Sequence, residues 1–248
     1  MSKSITKIIL LLVAFSIFSC KKEENVNTEK IQTQKKKEII SNDIKYNELD
    51  SLGIPFNGKK FKDFVINSKY IIVQSHRGFL NNDQMEDAVL LLQEKNDKTS
   101  NRLILVLLRE KDNSYYKFSM NSTIMGSEEN SDGYKINNEE DIIIQNHNLD
   151  INIYCMGPCG NTDISFSLNK SEEFILTNYE SYNMGAGSHL GISFDGKTAI
   201  VTTTNTMEEE MPTEQESFEL DYESSLFFHE FDQNKLNAAI INRTKLEW

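Results

Sequence analysis

The sequence predicts a mainly β protein, α+β only at its margins: an antiparallel sheet or sandwich closed by a C-terminal helix. Three observations predict it. Compact apolar runs of six to eight residues recur, among them Lys69–Gln74, Asp87–Gln93 and Asn101–Leu108. They are too short and too sharply bounded by turn residues for helices, and unbroken apolar runs suit strands buried on both faces. Alternating segments follow, and near the end Asp232 precedes Leu236, Ala239, Ile240 and Arg243 at helical spacing.

Asn47–Gly53 reads as a short helical turn stopped by Gly53 and Pro55. Asp87–Gln93 and Asn101–Leu108, joined by the polar loop Glu94–Ser100, form a hairpin at the middle of the sheet. Ser114–Met120 alternates and reads as the next strand. The polar stretch Gly126–Glu140 is a loop. Asp141–Gln145 and Leu149–Tyr154 make a hairpin across His147, and Thr162–Leu168 and Glu173–Asn178 continue the meander. Gly185–His189 reads as a flexible loop before the strand Leu190–Phe194. Asp195-Gly196 then supplies the positive φ angles of a type I′ turn into Lys197–Thr203. From Thr198 to Asn234 there is no Lys or Arg, and Glu208–Glu223 holds eight acids, the pattern of a solvated surface loop. The terminal helix packs on the sheet and brings Trp248 to its rim.

The chain opens differently. Lys3 and Lys7 precede the apolar run Ile8–Phe18, then Ser19 and Cys20. A charged segment, a short apolar core and a small residue describe a secretory signal peptide, and the run is short of the roughly 20 residues of a spanning helix. The Cys at the cut resembles the lipobox of bacterial lipoproteins, with Ile17 where Leu is usual. That resemblance implies lipidation (diacylglyceryl and palmitate chains) at Cys20 and cleavage before it. More than one acyl chain gives stable anchoring. Lys21-Lys22-Glu23-Glu24 resembles the signal that directs some Gram-negative lipoproteins to the cell surface, and residue 21 is not Asp, so the resemblance implies the outer membrane. The expected organisation is a signal peptide over 1–19, a lipidated Cys and polar tether over 20–46, and one β-rich domain over 47–248. The 26 residues from 21 to 46 have too little apolar surface to offset ordering entropy. As a flexible chain they reach roughly 25–30 Å.

Without its first 19 residues the chain keeps 229, and net charge moves from −12 to −14. So acidic a protein is a poor partner for nucleic acid or an anionic lipid surface. The expected membrane contact is through the N-terminal lipid alone. With Cys20 acylated, Cys155 and Cys159 remain as an even pair flanking Gly157-Pro158. Outside the cytoplasm such a pair is expected as a disulfide staple of a short loop, not a thiol-redox Cys-x-x-Cys.

His76–Asp87 leads into the strand Ala88–Leu92. It resembles the Asp-rich loop of FG-GAP repeats, and a single such copy occurs in a family of uncharacterised secreted and lipid-anchored bacterial proteins. The resemblance covers roughly residues 56–204, including Ser193–Lys197 as a shortened later hairpin. It implies Ca²⁺ ligands at Asn81, Asp83 and Asp87. Phe79 and Gln84 replace an Asp and a Gly of the pattern, so the turn is expected to persist with Ca²⁺ affinity weak or lost.

No catalytic constellation stands out. His76, His147, His189 and His229 are isolated, and no phosphate loop or dinucleotide fingerprint occurs. The sequence therefore predicts a non-enzymatic binding or envelope-associated module on the outer membrane. Two alternatives stay open: a calcium-binding module through 81–87, and a hydrolase using Ser188 and His189 with an acid from Glu208–Glu223.

Overall fold

The computed structural model describes residues 52–155, 160–222 and 226–246, all within the compact unit Glu48–Trp248. Its architecture is a sandwich of two antiparallel sheets. The first holds β1 (Asn57–Gly58), β2 (Tyr70–Gly78), β3 (Asp87–Glu94), β4 (Leu103–Arg109) and β5 (Tyr115–Asn121). They lie in the order β1-β5-β4-β3-β2. The predicted central hairpin is β3–β4, and it does occupy the middle.

The second sheet is a seven-stranded meander in chain order. Its strands are β6 (Glu139–Gln145), β7 (Asn148–Tyr154), β8 (Asn161–Leu168), β9 (Phe174–Met184), β10 (Ser188–Phe194), β11 (Thr198–Asn205) and β12 (Thr213–Glu219). One helix, α1 (Gln233–Ile241), follows. Asp232 caps it as predicted, its Oδ1 accepting from Asn234 N at 2.9 Å and Lys235 N at 3.3 Å.

Alternation explains the layers. Along β3 and β4, Val89, Leu91, Ile104, Val106 and Leu108 face the second sheet. They meet Ile142, Leu149, Ile151, Ile164, Phe166, Val201 and the α1 residues Leu236 and Ile240 in one core. The intervening Leu90, Leu92, Leu103, Leu105 and Leu107 face the other way and are covered by Ile54, Phe64 and Tyr70. The covering segment includes a 3₁₀ turn, Phe61–Phe64. It is held down by buried Lys117, whose Nζ donates to the Ile54 carbonyl at 3.2 Å. Each such apolar side chain contributes about 1.5–3 kcal/mol of transfer free energy.

Two polar devices and one close steric approach fix the layers. Arg102, just before β4, forms a two-pronged ion pair with Glu140 on β6 and donates to the Gly126 carbonyl at 2.9 Å. The Arg102 and Glu140 side chains are only 4% and 7% exposed. Burial works against the Glu140 carboxylate, but hydrogen bonds from Arg102 and Asn137 outweigh it and hold its pKa below the ordinary value. Asn121 ends β5. It accepts from Thr123 N and Ile124 N and donates to the Phe228 and Phe231 carbonyls, tying the first sheet to the approach to α1. Finally β2 meets β6: a Cβ on Gly78 would lie 2.6 Å from Ile144 Cγ2, so only glycine allows these edges so close.

Several elements differ from the sequence reading. β2 runs on through His76-Arg77-Gly78, and β9 runs six residues past Asn178, because pairing with β3, β8 and β10 carries polar residues as readily as apolar ones. Ser188 and His189 belong to β10 rather than to a loop. Thr213–Glu219, read as acidic loop, is the edge strand β12, where charges suit an unpaired edge. The β10–β11 turn is not type I′. Only Gly196 (φ +92°) is left-handed, and Asp195 Oδ1 instead accepts from Lys197 N and Thr198 N. Of the Asn47–Gly53 turn only its end is described, with Gly53 at φ +68°. Trp248 lies outside the described residues.

Candidate functional site

The first sheet has both faces covered, whereas the second has one free. Its inward side chains are the apolar ones of the core, and its outward face is polar. Across β8 to β12 this face holds a cleft of about 450 Å³. Its lining includes Asn161, Asp163, Glu180, Tyr182, Thr202 and Gln215, with Gly191 at the floor. A Cβ on Gly191 would meet Thr202 and Tyr182 only at ordinary contact distances of 3.7 and 3.8 Å. The missing side chain thus opens a notch between those two residues. Gly160, just ahead of β8, has the stricter requirement. It sits at φ +78°, and a Cβ there would fall 2.1 Å from the Tyr182 carbonyl oxygen.

Asp163 and Glu180 stand directly opposite each other in the β8–β9 ladder. Like charges so placed are unfavourable. Burial and then the Glu180 charge push the Asp163 carboxyl above its ordinary pKa, against a hydrogen bond from Tyr154 Oη at 3.3 Å. Asp150, the neighbouring acid on β7, accepts from Ser165 Oγ at 2.7 Å. At the far side of the cleft, Tyr182 Oη lies 2.5 Å from His189 Nδ1. The face therefore offers carboxylates, amides and hydroxyls in reach of one aromatic ring. Such a set hydrogen-bonds and stacks, and it contains no nucleophile–base–acid chain.

The residues singled out from sequence fall elsewhere or apart. Ser188 and His189 are consecutive on β10, so they point to opposite faces, and His189 bonds Tyr182 rather than Ser188. They do not form a hydrolase dyad. The 81–87 loop keeps the expected turn, with Gln84 forced to φ +62° where the pattern has Gly. Its oxygens are spent on the chain itself. Asp87, fully buried, accepts from Leu80 N at 2.9 Å and Arg109 N at 3.0 Å. Asp83 accepts from Met85 N and Asn81 Nδ2, and Asn81 Oδ1 from Asp83 N. A hard cation asks for six or more oxygens. Asn81, Asp83 and Asp87 are three residues whose oxygens already accept within the chain, a partial set against that number. Burial raises the Asp87 pKa, with the two N–H groups opposing.

Among the described residues, no group of three or more His, Cys, Asp or Glu gathers as metal ligands. His147 sits with Asn146 at positive φ in the β6–β7 turn, the predicted hairpin tip. Burial lowers the His76 pKa, partly offset by Asp141, and His229 lies beside Glu230. Cys155 directly follows β7, its Sγ 3.6 Å from the Ile136 carbonyl, while Cys20 and Cys159 lie outside the described residues. The cleft was missed in the sequence because its residues come from five strands. Its one visible signal was Gly191 inside an otherwise regular strand pattern. No protein family, no curated protein and no solved structure matches this chain.

Proposed function

We propose that this chain is an outer-membrane lipoprotein, anchored through acylated Cys20. Its sandwich would present the free face of the seven-stranded sheet as a non-enzymatic binding surface. The observation that carries the binding reading is the cleft over β8–β12, whose polar groups gather on the face of the sheet turned away from the core. The lipobox and the polar stretch 21–46 support the anchor. The tether gives the face room to meet envelope components, and surface exposure follows from Lys21–Glu24. A disulfide between Cys155 and Cys159 would staple the loop joining β7 to β8 beside Gly160.

The test has two arms. Cys20→Ser moves the protein from the membrane to the soluble fraction, and mass spectrometry of the wild type finds acyl chains on residue 20. Separately, purified envelope polysaccharide and peptidoglycan fragments are titrated against the wild type and an Asp163→Asn/Tyr182→Ala variant. Saturable binding lost in the variant supports the reading. Equal binding by both proteins, or none by either, overturns it.

A further inference from the structure

The tip of the second sheet carries three exposed methionines, Met211 in the β11–β12 turn (57% exposed) and two that meet at one place. Met184 is 41% exposed and Met207 78% exposed. Met184 is the direct cross-strand partner of His189 in the β9–β10 ladder. Directly opposed residues share a face, with Cβ atoms about 4.5–5.5 Å apart. Met207 reaches the same place from the β11–β12 turn. Thr206 N donates to the Gly187 carbonyl at 3.0 Å, continuing the β10–β11 ladder one rung past the strand. The Met207 Cγ lies 3.3 Å, and its Sδ 3.8 Å, from where a Gly187 Cβ would stand. Gly187 stands in the bend just ahead of β10, two residues and at most about 7 Å from His189, within reach of a methionine side chain. Gly187 therefore leaves the space that Met207 fills.

His189 is already oriented. Its Nδ1 lies 2.5 Å from Tyr182 Oη. With Nδ1–H donating to that oxygen, the Nε2 lone pair is left for a ligand, the arrangement by which outer partners fix a metal-bound imidazole. The two thioethers are soft donors and the imidazole a borderline one, a set that favours Cu(I) over hard cations. Thioethers carry no charge, so the site suits a monovalent ion. The nearby Glu208, hydrogen-bonded to Asn205, and Glu209 and Glu210 add a favourable field. We propose that Met184, His189 and Met207 bind a soft monovalent metal ion, Cu(I), with Tyr182 as the positioning residue for His189. The site borders the cleft and shares Tyr182 with it, while Met184, His189 and Met207 lie outside the cleft lining, so the methionine variants separate the two.

The test is anaerobic competition of the full chain for Cu(I) against a chromophoric chelator. Ag(I) serves in parallel as a redox-inert probe followed by NMR of the methionine methyl groups. The wild type withdraws one Cu(I) per chain. Met184→Leu, Met207→Leu and His189→Gln each weaken binding at least about tenfold, while Met85→Leu, in the loop between β2 and β3, leaves it unchanged. Tyr182→Phe weakens binding less and shifts its pH profile, as loss of an orienting partner requires. Should a variant fail to fold by circular dichroism, the wild-type Ag(I) titration decides, with the Met184 and Met207 methyls and the His189 ring protons moving together. No competition by the wild type, equal binding by the leucine variants, or stationary Met184, Met207 and His189 resonances would overturn the proposal.

Discussion

The two sheets use their faces differently. The five-stranded sheet buries both: β3 and β4 send alternate side chains into the inter-sheet core and into the layer under residues 52–68. The seven-stranded sheet buries one face and leaves the other to water, with acids, amides, hydroxyls and a tyrosine where the first sheet has leucines. The first sheet is packed on both faces, the second on one. Where both faces are filled, a side chain answers to packing. Where one is open, it is released to recognise something else.

The largest effect expected comes from cutting the link between the sheets. Arg102→Ala leaves Glu140 charged, buried and without its main partner, a loss of about 3–5 kcal/mol in chemical denaturation. The pH dependence follows from the same pair. The Glu140 pKa is lowered in the folded state. Its contribution is therefore complete above the unfolded carboxyl value, about 4.3, and is lost as pH falls through the folded value. The wild type shows that acid-limb loss and Arg102→Ala shows less of it. Replacing Arg102 and Glu140 together by Met and Leu costs far less than either single truncation. Equal costs would mean the pair does not bridge the layers.

Next in size is a matched pair of substitutions. Leu105→Ala, at the centre of the first sheet and fully buried, costs about 2–5 kcal/mol. Ser193→Ala, on the free face of the second, stays within about 0.5 kcal/mol. A Ser193 effect as large as that of Leu105 would erase the contrast. In the loop that joins β2 to β3, Gln84→Gly relieves a left-handed backbone at φ +62°. It raises stability by about 0.5–1 kcal/mol, the released strain exceeding the entropy that glycine adds to the unfolded chain.

How far the sequence could be read follows this same division. β3 and β4 were legible because burial on both faces writes an unbroken apolar run, and Asp232 marked the start of α1 through the capping chemistry alone. β12 was not legible. An edge strand on a half-exposed sheet needs only alternate small apolar contacts, and Thr213–Glu219 supplies just Phe218 among polar residues, so its composition matches a loop. The end of β9 was missed for a related reason, since Glu180, Tyr182 and Met184 point to solvent. The cleft was hidden because Asp163, Glu180, Gly191 and Thr202 become neighbours only through register. The Asp loop was half legible: its turn was foreseen from Asn81 to Asp87, but nothing in the spacing says that main-chain N–H groups take up those oxygens.

The smallest expected effect is the most informative about the free face. Asp163 and Glu180 oppose each other with like charge, an arrangement the fold would not choose for its own stability. Glu180→Gln removes the repulsion while keeping shape and hydrogen-bonding capacity. Because the pair is partly solvated, the gain is screened to roughly 0.2–0.5 kcal/mol. It is measurable as a small rise in denaturation midpoint that shrinks with added salt. Carried alongside, Asp163 titrates lower in the variant, since one of the charges raising its pKa is gone; carboxyl-carbon NMR reads this directly. A destabilised Glu180→Gln would mean that Glu180 holds the sheet together after all, and the face would then be a structural surface like that of the first sheet. A stabilised one marks Glu180 as kept at a cost to the fold, which is what a residue reserved for a ligand looks like.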